Sequence, residues 1–206
     1  MKKAKRDFLE LTDLTADELL DLLDLAAVLK RERSRGKEKP RLPGKTLAMI
    51  FEKPSTRTRV SFEVAICEQG GRAVVLAPDE IQLGRGETIR DTARVLSRYC
   101  QGIVLRTFGH ERVVELARAA SVPVINGLSD LTHPCQILAD LLTIRELLGR
   151  CEKISVAYIG DGNNVLHSWM MASSLLAIDL RVASPPEYAP PAKVVEEVRR
   201  RGGPGS

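Results

Sequence analysis

Short apolar runs recur along this chain, each followed by an amphipathic stretch of about ten residues. That rhythm constrains the fold more than any other feature. Parallel strands cannot be joined by tight turns and need a crossover element, usually a helix. A sheet built this way is covered on both faces, so its strands read as apolar throughout. Residues 46–51, 72–77, 102–108 and 122–126 are expected as four such strands. The helix after the first strand carries Val60, Val64 and Ile66 on its apolar face, and Gly70-Gly71 stop it. Glu87-Thr88 opens another helix, with Ile89, Ala93, Val95 and Leu96 as its apolar face, and residues 110–120 form a third. Ahead of all of these, Thr15-Ala16-Asp17-Glu18 is a capping box, continued at helical spacing by Leu19, Leu22, Leu23, Ala26 and Leu29.

A second alternation follows a long helix over 134–148 that ends at Gly149. It comprises a strand at 154–159, a Gly/Asn turn, a helix at 165–177, a strand at 179–183, a proline-rich loop and a last helix at 193–201. Two parallel strands cannot bury both of their faces. The expected fold is therefore α/β with two parallel-sheet domains, residues 1–149 and 150–206, the second Rossmann-like and incomplete.

Between the first strand and its helix lies Glu52-Lys53-Pro54-Ser55-Thr56-Arg57-Thr58-Arg59. Ser55, Thr56 and Thr58 offer hydroxyls, and Arg57 and Arg59 offer guanidiniums, where a helix presents unpaired backbone N–H groups. Those N–H groups and the positive end of the helix dipole favour an anion. Arginine adds a planar fork that grips phosphate through two hydrogen bonds. Ser and Thr are also ordinary N-caps, and a first-turn arginine is often merely solvated. Alternating hydroxyls and arginines exceed what capping needs, which favours a phosphate cradle.

Ligands of open parallel sheets bind beyond the carboxyl ends of the strands. That edge also collects Arg106 and His110 after the third strand, and residues 126–136 after the fourth. Arg106 follows Ile103-Val104-Leu105, and a buried arginine needs either an anionic or carbonyl ligand or an internal carboxylate partner. His133 and Gln136 begin a helix with Pro134 at its first position. His133 can serve as a donor to a carbonyl oxygen or as a plain surface or capping residue. Gly160-Asp161-Gly162-Asn163-Asn164-Val165 has a partial dinucleotide fingerprint, but Val165 stands where the third glycine belongs. Two amides at a helix start suit an amino-acid backbone or a simple cap.

Composition narrows the function class. Net charge is only +4, aromatic residues are 4% of the chain, and basic residues mostly alternate with acidic ones. A nucleic-acid surface is therefore disfavoured. No apolar run approaches the roughly 20 residues of a spanning helix. Cys67, Cys100, Cys135 and Cys151 lack metal-ligand or redox spacing, and Met1-Lys2-Lys3-Ala4-Lys5-Arg6 is not followed by an apolar core. Reduced thiols in a cytoplasmic protein without a membrane partner are expected.

Taken together, four segments resemble the signatures of the carbamoyltransferases, most closely those acting on ornithine. They are residues 51–63 (Phe51 to Glu63), Gln82-Leu83-Gly84-Arg85-Gly86-Glu87-Thr88, His133-Pro134-Cys135-Gln136, and Gly160-Asp161-Gly162-Asn163-Asn164. The resemblance spans roughly residues 6 to 200 and implies the two-domain α/β fold already expected. It implies that Ser55, Thr56, Arg57 and Thr58 hold the phosphate of carbamoyl phosphate. Arg106, His133 and Gln136 would surround the carbamoyl group, and Pro134 and Cys135 belong to the same motif. Asn164 would contact L-ornithine. The family forms trimers, and the loop holding Gln82 reaches a neighbour's site. The implied reaction moves the carbamoyl group to the δ-amine of ornithine, giving citrulline and phosphate, with Arg57, Arg106 and His133 as catalytic residues and no cofactor.

The family pattern continues with an Asp and a Ser-Met-Gly loop for the amino acid, then a His-Cys-Leu-Pro motif, and none of these follows Ala183. The expectation is a chain with a nearly whole donor site and weak or absent ornithine turnover. Putrescine as acceptor, or a non-catalytic anion-binding module, stay open. Lys53 after Glu52, with Gln82-Leu83-Gly84-Arg85-Gly86, argues against aspartate. Val165 argues against a nucleotide-binding oxidoreductase.

Overall fold

A computed structural model describes residues 5–77 and 86–201. Gln82 and the loop around it therefore lie outside the described residues. The chain divides into two compact units, residues 1–9 with 29–129, and residues 10–28 with 130–206. This division by contact differs from a break at 149/150. The helix at 134–148 groups with the second unit, where it packs on the helix at 164–176, and residues 10–28 join it.

The first unit holds four parallel strands, β1 (Thr46–Phe51), β2 (Arg72–Leu76), β3 (Gly102–Arg106) and β4 (Val124–Leu128), in the order β2-β1-β3-β4. Because side chains alternate across a strand, β1 and β3 feed two separate cores. Ala48, Ile50, Ile103 and Leu105 pack with Ile89, Ala93, Val113, Leu116 and Ala117. Met49, Phe51 and Val104 pack on the opposite face with Phe62. Each fully buried Ile or Met contributes about 1.5–3 kcal/mol relative to exposure.

The crossover helices of this unit are α2 (Thr56–Glu68), α3 (Ile89–Tyr99) and α4 (His110–Ala119); α1 (Ala16–Ser34) is divided between the two units. The capping box forms as its residues dictate. The Thr15 hydroxyl accepts the Glu18 N–H at 3.2 Å, and the Glu18 carboxylate accepts the Thr15 N–H at 3.0 Å.

Three expectations need correction. Uniform burial of the strands holds for β1 and β3 but not for β2, an edge strand whose Val74 is 41% exposed. The fourth strand begins at Val124, two residues later than expected. Pro123 has no N–H to give to a ladder, and its carbonyl accepts from Ile103 at 2.9 Å. Val60, Val64 and Val95 face outward, whereas Thr92 is buried on α3.

The second unit places α6 (Asn164–Leu176) against α5 (Pro134–Leu148), α7 (Ala192–Arg201), β6 (Asp179–Ala183) and a 3-10 turn at Leu11–Asp13. β5 (Ser155–Ile159) pairs with β6 in parallel. The pair leaves apolar surface uncovered, with Ile159 84% exposed and Val182 41% exposed, as a two-stranded sheet must. Gly149 ends α5 in the left-handed region at φ 75°, which a glycine enters without strain.

Candidate anion and carbonyl site

In the first unit, the cradle forms where β1 hands over to α2. Ser55 is the N-cap, extended at φ −162° and ψ 109°, and its hydroxyl accepts the Thr58 N–H at 3.3 Å. The capping reading is thus right for Ser55. The first turn contains no acidic residue, so nothing in it offsets the positive helix terminus or its arginines. Arg59 is committed to Glu63 one turn on, at 3.7 Å. Arg57 is exposed and has no hydrogen bond or ion pair among the described residues. Of the two guanidiniums, Arg57 is the one left for a ligand.

Arg106 is the last residue of β3, not an interior one, and it lies on the same sheet face as Phe51, its partner in register. Its Nη1 donates to the Thr58 hydroxyl at 3.3 Å. Its Nε is buried without a hydrogen-bond partner. No carboxylate among the described residues pairs with it, so the internal ion pair is excluded within them. Burial lowers its affinity for the proton, and the Arg57 guanidinium lowers it further. Two like charges therefore lie at one helix start with no carboxylate paired to either among the described residues. A doubly charged anion satisfies that arrangement.

Behind this pair lies a polar cluster that sequence reasoning did not resolve. The Glu52 carboxylate takes Arg112 Nε at 3.0 Å, also takes Arg112 Nη2, and accepts the hydroxyl of fully buried Thr107. Glu52 belongs to the recognised motif, but no local pattern announces that Arg112 is its partner. His110 meets the Ser129 hydroxyl through Nδ1 at 2.9 Å. Asn126 lies inside β4, fully buried, and its amide donates to the Leu9 carbonyl at 2.9 Å. It is a structural tie for the chain's first segment rather than a residue of the edge beyond the strand.

In the second unit, His133 precedes α5 with Pro134 at the first helical position, and its ring does not cap the helix. The His133 N–H donates to the Ser168 hydroxyl at 2.8 Å, and that hydroxyl donates to the Asn164 carbonyl at 2.9 Å. Gln136 donates to Asp140 at 2.8 Å along the helix surface. The Cys135 thiol is pushed up to about 12 by burial, so it remains a thiol rather than a nucleophilic thiolate near neutral pH. Asn163, not Asn164, is the N-cap of α6, accepting the N–H groups of Val165 and Leu166 at 2.9 and 3.3 Å. Gly162 admits no side chain, since a Cβ there would meet the Pro190 backbone at 2.3 Å. His167 and Ser168 were missed. A polar pair embedded between Leu166 and Trp169 was the available signal.

Among the described residues no group of three or more His, Cys, Asp or Glu could hold a metal ion. No helix among them is long and apolar enough to cross a membrane. The cysteines are all free.

The family model for the aspartate/ornithine carbamoyltransferase carbamoyl-P binding domain matches residues 6–146. The chain belongs to the aspartate/ornithine carbamoyltransferase family. The family's Asp/Orn binding domain matches residues 152–203. The ornithine carbamoyltransferase of Methanocorpusculum labreanum is 52% identical over 199 residues, 97% of this chain and 65% of that protein. That of Parafrankia sp. is 56% identical over 198 residues, 96% of this chain and 62% of the relative. Among solved structures, ornithine carbamoyltransferase from Pyrococcus furiosus superposes with a TM-score of 0.92 at 52% identity, covering 97% of this chain and 65% of that one. The chain thus spans 62–65% of the length of these relatives.

Proposed function

We infer that the chain binds carbamoyl phosphate, and that its activity is transfer of the carbamoyl group to the δ-amine of L-ornithine, yielding L-citrulline and phosphate. The observation that carries this is the Arg106 guanidinium, which donates to the Thr58 hydroxyl at 3.3 Å on a helix start that holds Arg57 and lacks any acidic residue. In this reading residues 1–149 are the donor-binding domain and residues 150–206 are part of the acceptor-binding domain. Ser55, Thr56, Arg57 and Thr58 hold the phosphate. Arg106, His133 and Gln136 address the carbamoyl group, with Pro134 and Cys135 shaping the same motif and Gln82 contributed across a trimer interface. Asn164 contacts ornithine.

The chemistry follows from those roles. The neutral δ-amine attacks the carbamoyl carbon, forming a C–N bond and a tetrahedral intermediate. Donors at Thr58, Arg106 and His133 stabilise its oxyanion, each well-placed donor being worth a few kcal/mol. The C–O bond to phosphate then breaks, Arg57 offsets charge on the leaving group, and the departing phosphate takes up the proton lost by the amine. Holding both substrates in place accounts for much of the remaining acceleration. The setting is cytoplasmic arginine metabolism.

Calorimetry with carbamoyl phosphate tests the donor half, and citrulline formation from ornithine tests the acceptor half. Parallel assays with putrescine decide the amine. Absence of carbamoyl phosphate binding at millimolar ligand would refute the reading.

A further inference from the structure

The strand end that carries Arg106 is irregular on one side. The β3–β4 register runs Leu105↔Asn126 and then jumps to Arg106↔Leu128, so Gly127 is an extra residue opposite the Leu105–Arg106 step. Such bulges bend a strand and re-aim its side chains. A bulge also weakens the ladder on the side where it occurs, so the direction in which Arg106 leaves the sheet has to be fixed from elsewhere.

Glu52 is placed to do this. Its backbone N–H donates to the Arg106 carbonyl at 2.8 Å, while its carboxylate accepts the hydroxyl of the next residue, Thr107. Thr107 in turn donates its N–H to the Leu128 carbonyl at 3.0 Å, just past the bulge. Arg112 of α4 holds the carboxylate through two guanidinium nitrogens. Strand alternation puts Arg106 on the α2 face and Thr107 on the other. Glu52 also opens the segment that leads to Ser55. One residue therefore touches both halves of the anion site from behind without facing the ligand.

We propose that Glu52, locked by Arg112 and Thr107, is a positioning residue that sets the placement of Arg106 relative to the Ser55–Thr58 cradle, and thereby lets the site prefer carbamoyl phosphate over inorganic phosphate. This rests on the carbamoyl-phosphate reading above. Inorganic phosphate meets Arg106 chiefly as a charge, an attraction that survives a small displacement, whereas the carbamoyl oxygen needs the Arg106 donors in register with the cradle.

The test compares Glu52→Gln, Arg112→Met and the milder, near-isosteric Thr107→Val in the 206-residue chain. Affinity is measured by calorimetry for inorganic phosphate and for phosphonoacetamide, a hydrolysis-resistant analogue of carbamoyl phosphate. The expected result is about a tenfold loss for phosphonoacetamide in Glu52→Gln and Arg112→Met, a smaller loss in Thr107→Val, and phosphate affinity within about twofold of the parent. Arg112→Lys should recover part of the loss. Equal losses for both ligands, as general destabilisation produces, or no loss for either, would overturn the proposal. The ligand-free protein supplies an independent readout, the side-chain Nε–H resonance of Arg106. It should shift or broaden in Glu52→Gln, and an unchanged resonance overturns the proposal even if binding changes. If the parent chain binds neither ligand, the carbamoyl-phosphate reading fails, and the Arg106 resonance alone decides the role of Glu52.

Discussion

The Ser168 hydroxyl accepts the His133 backbone N–H at 2.8 Å and passes its own hydrogen to the Asn164 carbonyl at 2.9 Å. A single buried oxygen thus ties the start of α5 to the start of α6, the two places in the second unit where candidate ligand residues sit. Replacing Ser168 by Ala removes the acceptor of the His133 N–H, while the Asn164 carbonyl keeps its helical partner, the Ser168 N–H. The expected cost is about 1–3 kcal/mol of folding stability, read by chemical denaturation. Carbamoyl phosphate affinity should fall with it, because His133 loses its anchor.

Arg106 sets function against stability. Its buried Nε has no acceptor among the described residues, and Arg57 repels it. Arg106→Met keeps the apolar stem and removes the unmet donor. Thermal unfolding should show a gain of about 1–2 kcal/mol, while calorimetry should show carbamoyl phosphate affinity falling roughly 100-fold, equivalent to about 3 kcal/mol. A destabilised Arg106→Met protein would contradict this balance.

His167 makes stability depend on pH. Burial holds its imidazole below the ordinary range, against the opposing hydrogen bond from Nδ1 to the Leu131 carbonyl at 2.9 Å. The native state therefore binds fewer protons at this site than the unfolded chain, whose histidine titrates near about 6.5. Stability from this group is full above that value and is lost as pH falls below it. His167→Gln should flatten the denaturation midpoint between about pH 7 and 5 relative to the parent. An identical slope in the two proteins would rule this out.

Thiol reactivity should be selective. Cys67 is exposed, Cys100 and Cys151 are buried with their thiols pushed up by desolvation, and Cys135 is pushed up to about 12. Ellman's reagent should modify one thiol quickly in the native protein and all four after denaturation. Rapid modification of Cys135 would mean its surroundings are not as described.

Much of this was legible in the residues. The first strand, the capping box, α5 with its glycine stop, and β6 follow from periodicity and caps that act over a few residues. The strand exit and helix start that frame the candidate cradle were legible for the same reason, being joined in one segment. What was not legible depends on partners far along the chain. Val60 and Val64 are spaced by one turn on α2, and Val95 fits the apolar pattern of α3, yet all three side chains face outward. The start of β4 and the bulge at Leu105/Arg106 arise from pairing with β3. Glu52 and Arg112 are 60 positions apart, and no local rule joins them.

Helix α2 begins at the anion cradle and carries its exposed thiol near the other end, on Cys67. At 1.5 Å per residue, the axial span from Thr56 to Cys67 is about 17 Å. The molecule thus comes with an attachment point for a fluorophore, outside the ligand's reach but on the same rigid rod. An environment-sensitive dye at Cys67 would report whether occupancy of the candidate cradle is felt at the far end of α2, without a coupled enzyme and without turnover.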